Sequence, residues 1–330
     1  MPRRAALGLA LILVISLALA TAPSARPGPY PSLGSKCGVF PKPGPEVAAD
    51  APSLPDQRAW HQDISAAPVH PDSGAIIDFI NANGATELHP DFGSPRAYGI
   101  PYRVVGKRAK RTRVRFTAYG DESDHGPYRV PLRSPVEGGK RSDGDRHVLA
   151  YDRARCKLYE LGRAFPRKRK HRWDADVGVI WNLRSAALRP DGWTSADAAG
   201  LPIFPGLVRY DEVEAGAVEH AIRVTFEVTR DAWIHPGSHC ASDEANPNAP
   251  PMGMRLRLRA GYDLSGITGE ARVIAEALKR YGFLVADNGS NWYFQGTSDR
   301  RWDDEDLNQL KEVPGSAFEV VRSAAEVHVC

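Results

Sequence analysis

The chain contains 330 residues, which is enough for one large domain or two domains of ordinary size. Hydrophobic residues make up 42% of the chain and charged residues 25%, close to the average for globular proteins, and this excludes wholesale disorder. The formal net charge is only +3, so the overall charge does not point to a nucleic-acid partner.

The N-terminal segment has the pattern of a secretory signal peptide. Two arginines form a short positive region, residues 5–20 are apolar apart from one serine, and small residues at 18–22 suit a cleavage site. The stretch is short for a bilayer span, and a proline-rich chain follows it instead of a charge cluster that stops transfer. We predict a signal peptide at residues 1–22 and a mature chain that begins between Thr21 and Pro27. The protein is then extracellular without stable membrane insertion; an uncleaved membrane anchor is the alternative.

Secretion determines how the four cysteines are interpreted. They are widely spaced, with no C-x-x-C pair, at Cys37, Cys156, Cys240 and Cys330. An oxidising compartment favours two disulfides, for which three pairings exist, and one bridge would tether the C-terminus. A nucleophilic thiol or zinc ligation is the alternative.

The segment at 23–60 is rich in proline, glycine and alanine, which predicts a linker or an extended strap. We place a single domain at 61–330. Its first element is a short helix in GAIIDFINANG, which follows Ser73, because three isoleucines recur at helical spacing and Gly84 suits the C-terminal end.

From about residue 98 to 259 the dominant period is two, which is typical of β-strands. RTRVRFTAY and GMRLRLR alternate apolar residues with arginines, and turn clusters separate the strand candidates. The 30 glycines and 27 prolines also exceed average usage, which favours many turns. We predict a mainly-β, antiparallel β-sandwich that resembles a jelly roll, with one solvated face.

After Ser265 the period changes from two to that of a helix. TGEARVIAEALKRYG has an apolar face, with Thr268 as N-cap and Gly282 as C-cap, and DDEDLNQLKEV predicts a second helix. We predict that 266–330 is an α/β decoration on the β core.

The first candidate site is the acidic segment DESDHGPY, which contains Asp121 and Glu122. Clustered carboxylates can divide into general acid and base, and their oxygens also suit calcium. A charged surface turn is the alternative. The usual serine-hydrolase, zincin and nucleotide-binding motifs are absent from the sequence.

The second candidate site is the long aperiodic segment at 188–213. Such stretches in a compact domain are usually functional. Asp191 and Asp197 are candidate catalytic carboxylates, while Trp193 and Arg209 are candidates for binding a sugar. A buried crossover strap that contains hydrogen-bonded carboxylates is the alternative.

Further candidates come from a strand and a turn. EHAIRVTFEV places Arg223 and Glu227 on its polar face, which suits the wall of a cleft or a solvated sheet face equally. ADNGSNW adds Asn288 as a candidate binding residue.

Three histidines are candidates for functional groups. His147 shares a strand face with apolar residues, which favours a hydrogen-bonded core residue over a catalytic base. His235 and His239 are four residues apart, but the intervening proline and glycine prevent the helix that would align them for zinc. We therefore predict no metal site.

This chain resembles a family of secreted, mostly bacterial proteins in five segments: RPDGWTSADAAGLPIFPGLVRYDEV, HAIRVTF, PPMGMRLRL, ALKRYGFLVADNGS and RWDDEDL. The resemblance covers about residues 121–321 and implies one intact extracellular domain. No activity is assigned to that family, so the resemblance adds no mechanism and no catalytic residue.

From these features we predict a secreted carbohydrate-active protein. We expect it to be an enzyme that cleaves extracellular polysaccharide, either as a hydrolase or as a lyase. Hydrolysis would use two carboxylates, whereas elimination would use a tyrosine or histidine base beside a uronate that Arg223 neutralises. A non-catalytic glycan-binding or cell-wall-associated protein is the alternative, and a purely structural secreted domain is a third. We expect a monomer with an extracellular glycan as partner, no nucleic acid and no cofactor, although calcium suits the carboxylates. The basic runs GKRAKRTRVR and PRKRKHR contain few aromatic residues, which also argues against base stacking.

Overall fold

The computed structural model describes residues 37–94 and 98–330, all within one compact unit that spans 31–330. The predicted signal peptide and the predicted start of the mature chain lie outside the described residues. Within the described ranges, no helix is long and apolar enough to cross a membrane.

Strands dominate the described part of the chain. Its α-helices are α1 (Ser73–Ala82), α2 (Tyr210–Glu214), α3 (Gly269–Arg280) and α4 (Asp304–Asn308). Its strands are β1 (His89–Pro90), β2 (Tyr102–Val105), β3 (Arg113–Phe116), β4 (Val148–Asp152), β5 (Lys157–Gly162), β6 (Phe165–Arg167), β7 (Arg172–Ala175), β8 (Val177–Asn182), β9 (Ile222–Phe226), β10 (Ala232–Ile234), β11 (Arg255–Leu258), β12 (Phe283–Asn288), β13 (Tyr293–Phe294), β14 (Phe318–Val320) and β15 (Val327–Val329).

The described strands form four sheets. The largest has the order β1-β13-β9-β12-β11-β14, and β9 lies parallel to β12 but antiparallel to β13. The others have the orders β2-β4-β5-β8, β3-β7-β6 and β10-β15. The pairs β2–β4 and β3–β7 are parallel, whereas β10 and β15 are antiparallel.

The prediction of a mainly-β fold is confirmed, but the sheets are mixed and do not form a clean antiparallel sandwich. The alternation of apolar and polar residues reports which face a side chain occupies, and it does not report the direction of the neighbouring strand. Strands β12 and β14, from the region predicted as decoration, pair with β9 and β11, so that region is an integral part of the largest sheet.

The four-stranded sheet is buried on both faces. Strand β4 places Leu149 and Tyr151 in the main core, with the six-stranded sheet and the long helices, and places Val148 and Ala150 in a second core with the three-stranded sheet. Burial on both faces explains why the whole strand is apolar apart from its last residue.

The arginines of β11 do not form the solvated face that their alternation predicts. Arg255 is only 1% exposed and donates to the carbonyl oxygens of Ala59 and Tyr281. Arg257 donates to the carboxylate of Glu319. The chain that precedes α1 covers this face, and its carbonyl groups supply the acceptors that a buried guanidinium requires.

Both predicted disulfides are present, and the fold selects one of the three pairings. Cys37 is bonded to Cys156 and Cys240 to Cys330, with Cα–Cα distances of 5.1 and 6.7 Å. The first bridge fixes the strap to the four-stranded sheet, and the second fixes the C-terminal strand β15, as predicted for Cys330. The described cysteines include no free thiol.

Candidate functional site

Arg223 lies in β9 near the centre of the largest sheet and is only 2% exposed. Its Nε donates to Oδ2 of Asp197 at 3.0 Å, and its Nη1 donates to Oε1 of Gln295 at 2.7 Å. Its Nη2 lies 3.6 Å from Oδ2 of Asp287. A single buried guanidinium therefore holds two carboxylates and one amide, each from a different segment.

The long loop delivers Asp197 through a tight turn. The backbone N–H of Asp197 donates to Oγ of Ser195, and the N–H of Gly200 donates to the Asp197 carbonyl. The N–H of Ala199 then donates to the carbonyl of Ala286 in β12, which fixes the turn against the sheet. The alternative prediction, that this loop is a buried strap, describes this stretch equally well.

A bulge in β12 turns Asp287 toward the arginine. The register pairs Leu284 with Arg223, then shifts between Val285 and Asp287 so that Asp287 lies opposite Thr225. Residues directly opposite in neighbouring strands share a face, so the shift places Asp287 on the same face as Arg223. Regular alternation along β12 would have placed Asp287 on the other face.

Burial raises the proton affinity of both carboxylates. Desolvation raises the pKa of Asp197 to about 7, with the charge of Asp287 adding to the shift and Arg223 opposing it. Desolvation also raises the pKa of Asp287, again against the pull of Arg223, although its side chain remains 27% exposed. The carboxyl group of Asp287 is therefore partly desolvated but still reached by solvent.

A second pair, His147 and Glu137, lies beside the first. Nδ1 of His147 lies 2.6 Å from Oε2 of Glu137, and Nε2 lies 2.8 Å from the carbonyl oxygen of Ala196, next to Asp197. Both acceptors can be satisfied together only by a doubly protonated imidazolium. Desolvation opposes that charge, but the carboxylate of Glu137 outweighs it and raises the pKa of His147 to about 9.

The two pairs belong to one electrostatic unit. Desolvation raises the pKa of Glu137, but His147 and then Arg223 outweigh it, so the pKa lies below its usual value. The pKa of Asp91 shifts upward, opposite to that of Glu137, because desolvation and the charge of Glu137 both raise it. We call this unit the Arg223 cluster, and its members are Asp91, Glu137, His147, Asp197, Arg223, Asp287 and Gln295.

Two oxygen atoms in or next to the cluster are buried without a hydrogen-bond partner among the described residues. They are Oδ1 of Asp197 and Oδ1 of Asn288. Nη2 of Arg223 makes no well-aligned hydrogen bond, but it lies 2.9 Å from Oδ2 of Asp197 and is paired electrostatically. Buried polar groups in native proteins are almost always satisfied by protein, water or ligand, so each of these two oxygens can accept a hydrogen bond from water.

The other predicted catalytic carboxylates lie elsewhere. Asp121 is exposed. Glu122 accepts from the backbone N–H of Thr194 at 2.6 Å and so anchors the long loop. Asp191 is exposed, with its Oδ1 2.8 Å from Nε2 of His235.

The predicted binding residues are also distributed. Trp193 is half-buried, with the guanidinium of Arg189 5.4 Å from its ring centre. Arg209 is buried and bonds Glu212 and backbone carbonyls, so its donors serve the fold. The two others lie near the end of β9: Glu227 is exposed, and Asn288 donates to Oγ1 of Thr229 at 2.9 Å.

Two groups of potential metal ligands do not suit a metal. Glu137, Asp145 and His147 bring ligand atoms within 4.8 Å of one another, but both nitrogens of His147 are already engaged. The second group combines Asp231 with Cys240 and Cys330, whose sulfurs are bonded to each other. A third group, which contains two histidines and Asp191, lies outside the Arg223 cluster.

Sequence reasoning missed several members of the cluster. Glu137 lies in a turn cluster, Gln295 follows a two-residue strand, and Asp91 follows an equally short one, so no periodicity marks them. Asp287 stands out in the sequence only as part of the ADNGSNW turn. The apolar alternation around His147 correctly indicated a buried, hydrogen-bonded residue, but it gave no sign of the carboxylate partner.

The fold and this cluster define a mainly-β protein whose buried centre holds several carboxylates around one arginine. Comparisons of the chain with models of known protein families, with curated proteins and with solved structures give no match.

Proposed function

We propose that this protein is an extracellular polysaccharide hydrolase in which Asp287 is the general acid and Glu137 is the carboxylate base or nucleophile. One observation carries the proposal: Asp287, beside Arg223, and Glu137, beside His147, are partly exposed carboxylates whose pKa values are shifted in opposite directions. Glycosidic hydrolysis requires one protonated and one ionised carboxyl group, and opposite pKa shifts of this kind suit the two roles.

Solvent exposure and the direction of the pKa shift together favour Asp287 and Glu137 as the acid and the base or nucleophile. Asp287 is 27% exposed and Glu137 is 25% exposed, whereas Asp197 is fully enclosed. The raised pKa of Asp287 favours the neutral acid that can protonate a leaving oxygen. The lowered pKa of Glu137, maintained by the imidazolium of His147, favours the ionised form that attacks carbon or activates water.

Arg223 and Asp197 act as positioning residues. Arg223 holds Asp287 and Asp197 with one guanidinium, and the negative charge of Asp287 adds to the raised proton affinity of Asp197. The engaged state of His147 supports hydrolysis over elimination, because an imidazolium with both nitrogens bonded cannot serve as the base of a lyase.

The substrate class rests on the expected secretion and on the predicted sugar-binding residues of the long loop. Trp193 is only partly buried, and a partly buried aromatic ring can pack on the face of a sugar. The resemblance to a secreted bacterial family points to the same compartment, as do the two disulfides.

The test is incubation of the mature protein with a panel of neutral and acidic polysaccharides, followed by assays for reducing ends and for unsaturated uronates. We expect reducing ends without unsaturated uronates. Asp287→Asn and Glu137→Gln should each lower the rate by about 10²–10⁴-fold, the usual contribution of a positioned acid or base. Asp121→Asn, which changes an exposed carboxylate outside the cluster, is the matched control and should leave the rate unchanged.

The complete enclosure of Asp197 favours a second candidate, a non-catalytic glycan-binding protein in which the cluster only stabilises the fold. Retention of the protein on a polysaccharide column without any release of reducing ends would favour that candidate. Unsaturated uronates would instead identify a lyase and contradict the assigned roles.

A further inference from the structure

We propose that Asp191, His235 and His328 form a binding site for a divalent transition-metal ion, with Zn²⁺ as the ion that the ligand set fits best. The site is separate from the Arg223 cluster and does not depend on the proposed hydrolase activity.

The three side chains already converge. Each offers one ligand atom, and the three atoms lie within 4.8 Å of one another. Oδ1 of Asp191 is 2.8 Å from Nε2 of His235, and the rings of His235 and His328 have centroids 5.0 Å apart. A tetrahedral zinc ion with bonds of about 2.0–2.1 Å places its ligand atoms about 3.3 Å apart, so small side-chain shifts suffice.

The fold fixes His328 in its position. It lies in β15, directly opposite Trp233 of β10, and the two rings stack with centroids 5.1 Å apart and planes 8° apart. Two residues later the bridge between Cys330 and Cys240 holds the C-terminus. The imidazole is therefore held on a strand that the disulfide anchors, which suits a metal ligand better than a free tail.

Two hydrogen bonds hold the loop around Asp191 beside the segment that contains His235. The N–H of Gly192 donates to the carbonyl of Ser238 at 2.7 Å, and Oγ of Ser238 donates to the carbonyl of Trp193 at 2.9 Å. The three ligands thus come from the long loop, the end of β10 and the C-terminal strand, and an ion would join all three.

The kinds of ligand atom in this group favour zinc over calcium. Two imidazole nitrogens and one carboxylate oxygen match zinc sites, whereas calcium takes oxygen ligands alone. Asp191 is 55% exposed and His235 is 21% exposed, so an ion can enter from solvent and water can complete the coordination. His239 is not a member of this group of converging ligand atoms. The sequence pattern pairs His235 with His239, whereas the fold brings His235 together with Asp191 and His328.

The test is a calorimetric titration of the mature, disulfide-bonded protein with ZnCl₂ after treatment with a chelator. We expect one saturable site per chain and a rise in Tm when Zn²⁺ is added, because an ion that binds only the folded state stabilises it. The variant His328→Phe keeps an aromatic ring on Trp233 but removes the ligand nitrogen. It should lose at least about tenfold in affinity for Zn²⁺, since even the loss of a group that only supports a ligand costs about 10–100-fold.

His239→Ala is the control, because it removes a neighbouring histidine outside the proposed ligand set. It should bind Zn²⁺ as the unmodified chain does. Asp191→Asn provides an independent second variant on an exposed loop side chain, where loss of folding is not expected. No saturable binding, or equal binding by the unmodified chain, His328→Phe and Asp191→Asn, would overturn the proposal.

Discussion

At the scale of single residues, Arg223 is the side chain on which the buried charge balance depends. Its guanidinium faces Asp197, Asp287 and Gln295 in the interior of the largest sheet. Removing one partner of a buried ion pair leaves charge without compensation, and that is usually far more costly than the net value of the pair.

Arg223→Met should therefore lower the free energy of unfolding at pH 8 by about 3–5 kcal/mol. At pH 5 the loss should be smaller, because without the guanidinium the two carboxyls take up protons more readily and become neutral. Urea unfolding at the two pH values measures both effects. Arg115→Met, which changes a largely exposed arginine that pairs with Asp174, is the control and should cost less than about 1 kcal/mol.

His147 gives the protein a pH dependence with a defined sign. Its pKa is about 9 in the folded state, against a usual value near 6.5. The folded state therefore holds this proton more tightly, and the stability that it contributes is complete below pH 6.5 and is lost as the pH rises through 9. Glu137→Gln removes the group that raises this pKa.

Equilibrium unfolding of the unmodified chain should show falling stability between pH 6.5 and pH 9, and Glu137→Gln should flatten that slope. For the unmodified chain, the interval between pH 5 and pH 6 is the internal control, because His147 is protonated there in the folded state and largely protonated in the unfolded state. Parallel slopes for the two proteins between pH 6.5 and pH 9 would contradict the prediction.

At the scale of secondary-structure elements, the C-terminal end of α3 depends on a left-handed glycine. The helix ends at Arg280, and Gly282 has φ +63° and donates its N–H to the carbonyl of Ala277. A Cβ at this position would run into the carbonyl oxygen of Leu256 in β11. The glycine therefore both ends the helix and allows β12 to begin close to the sheet.

Gly282→Ala should lower the free energy of unfolding by more than the roughly 1–2 kcal/mol that the left-handed conformation alone costs. Gly261→Ala is the matched control, because open space surrounds the position that its methyl group would take and its φ is not positive. It should change stability by less than about 0.5 kcal/mol. Thermal or urea unfolding of both variants distinguishes the two sites, and equal stability would contradict the role assigned to Gly282.

At the scale of the whole molecule, two disulfides close long segments of chain. They join residues 119 and 90 positions apart, and cross-links of this kind restrict the unfolded state. Replacing Cys240 and Cys330 together by serine should cost about 2–5 kcal/mol. The measurement is urea unfolding, with thiol titration of the denatured, unreduced chain as its control. The unmodified chain should contain no free thiol, and two or more would contradict the oxidised state.

The maturation of the chain is a separate prediction at this scale. The positive, apolar and small-residue regions at the N-terminus predict cleavage between Thr21 and Pro27 and release from the cell. N-terminal sequencing of the secreted protein measures the cleavage site. Recovery of the chain with Met1 in a membrane pellet would contradict it.

Local patterns in the sequence determined the elements whose signal lies within a few residues. The isoleucine spacing of α1, the caps Thr268 and Gly282 of α3, and the alternation that marks β3 and β9 all act through neighbours in the chain. The even cysteine count and the N-terminal pattern likewise predicted two bridges, one of them at Cys330, without the fold.

Only the tertiary structure decided the features that depend on contacts between distant segments. Strand direction in the sheets, the burial of Arg255 beneath the chain before α1, and the choice of disulfide partners leave no local periodicity. The Arg223 cluster depends on the same kind of contact, because one shift of register in β12 turns Asp287 toward an arginine 64 residues earlier in the chain. The sequence of a strand indicates which face of the sheet each of its side chains occupies. The partners of those side chains depend on which strands pair, and the packing of the whole molecule determines that pairing.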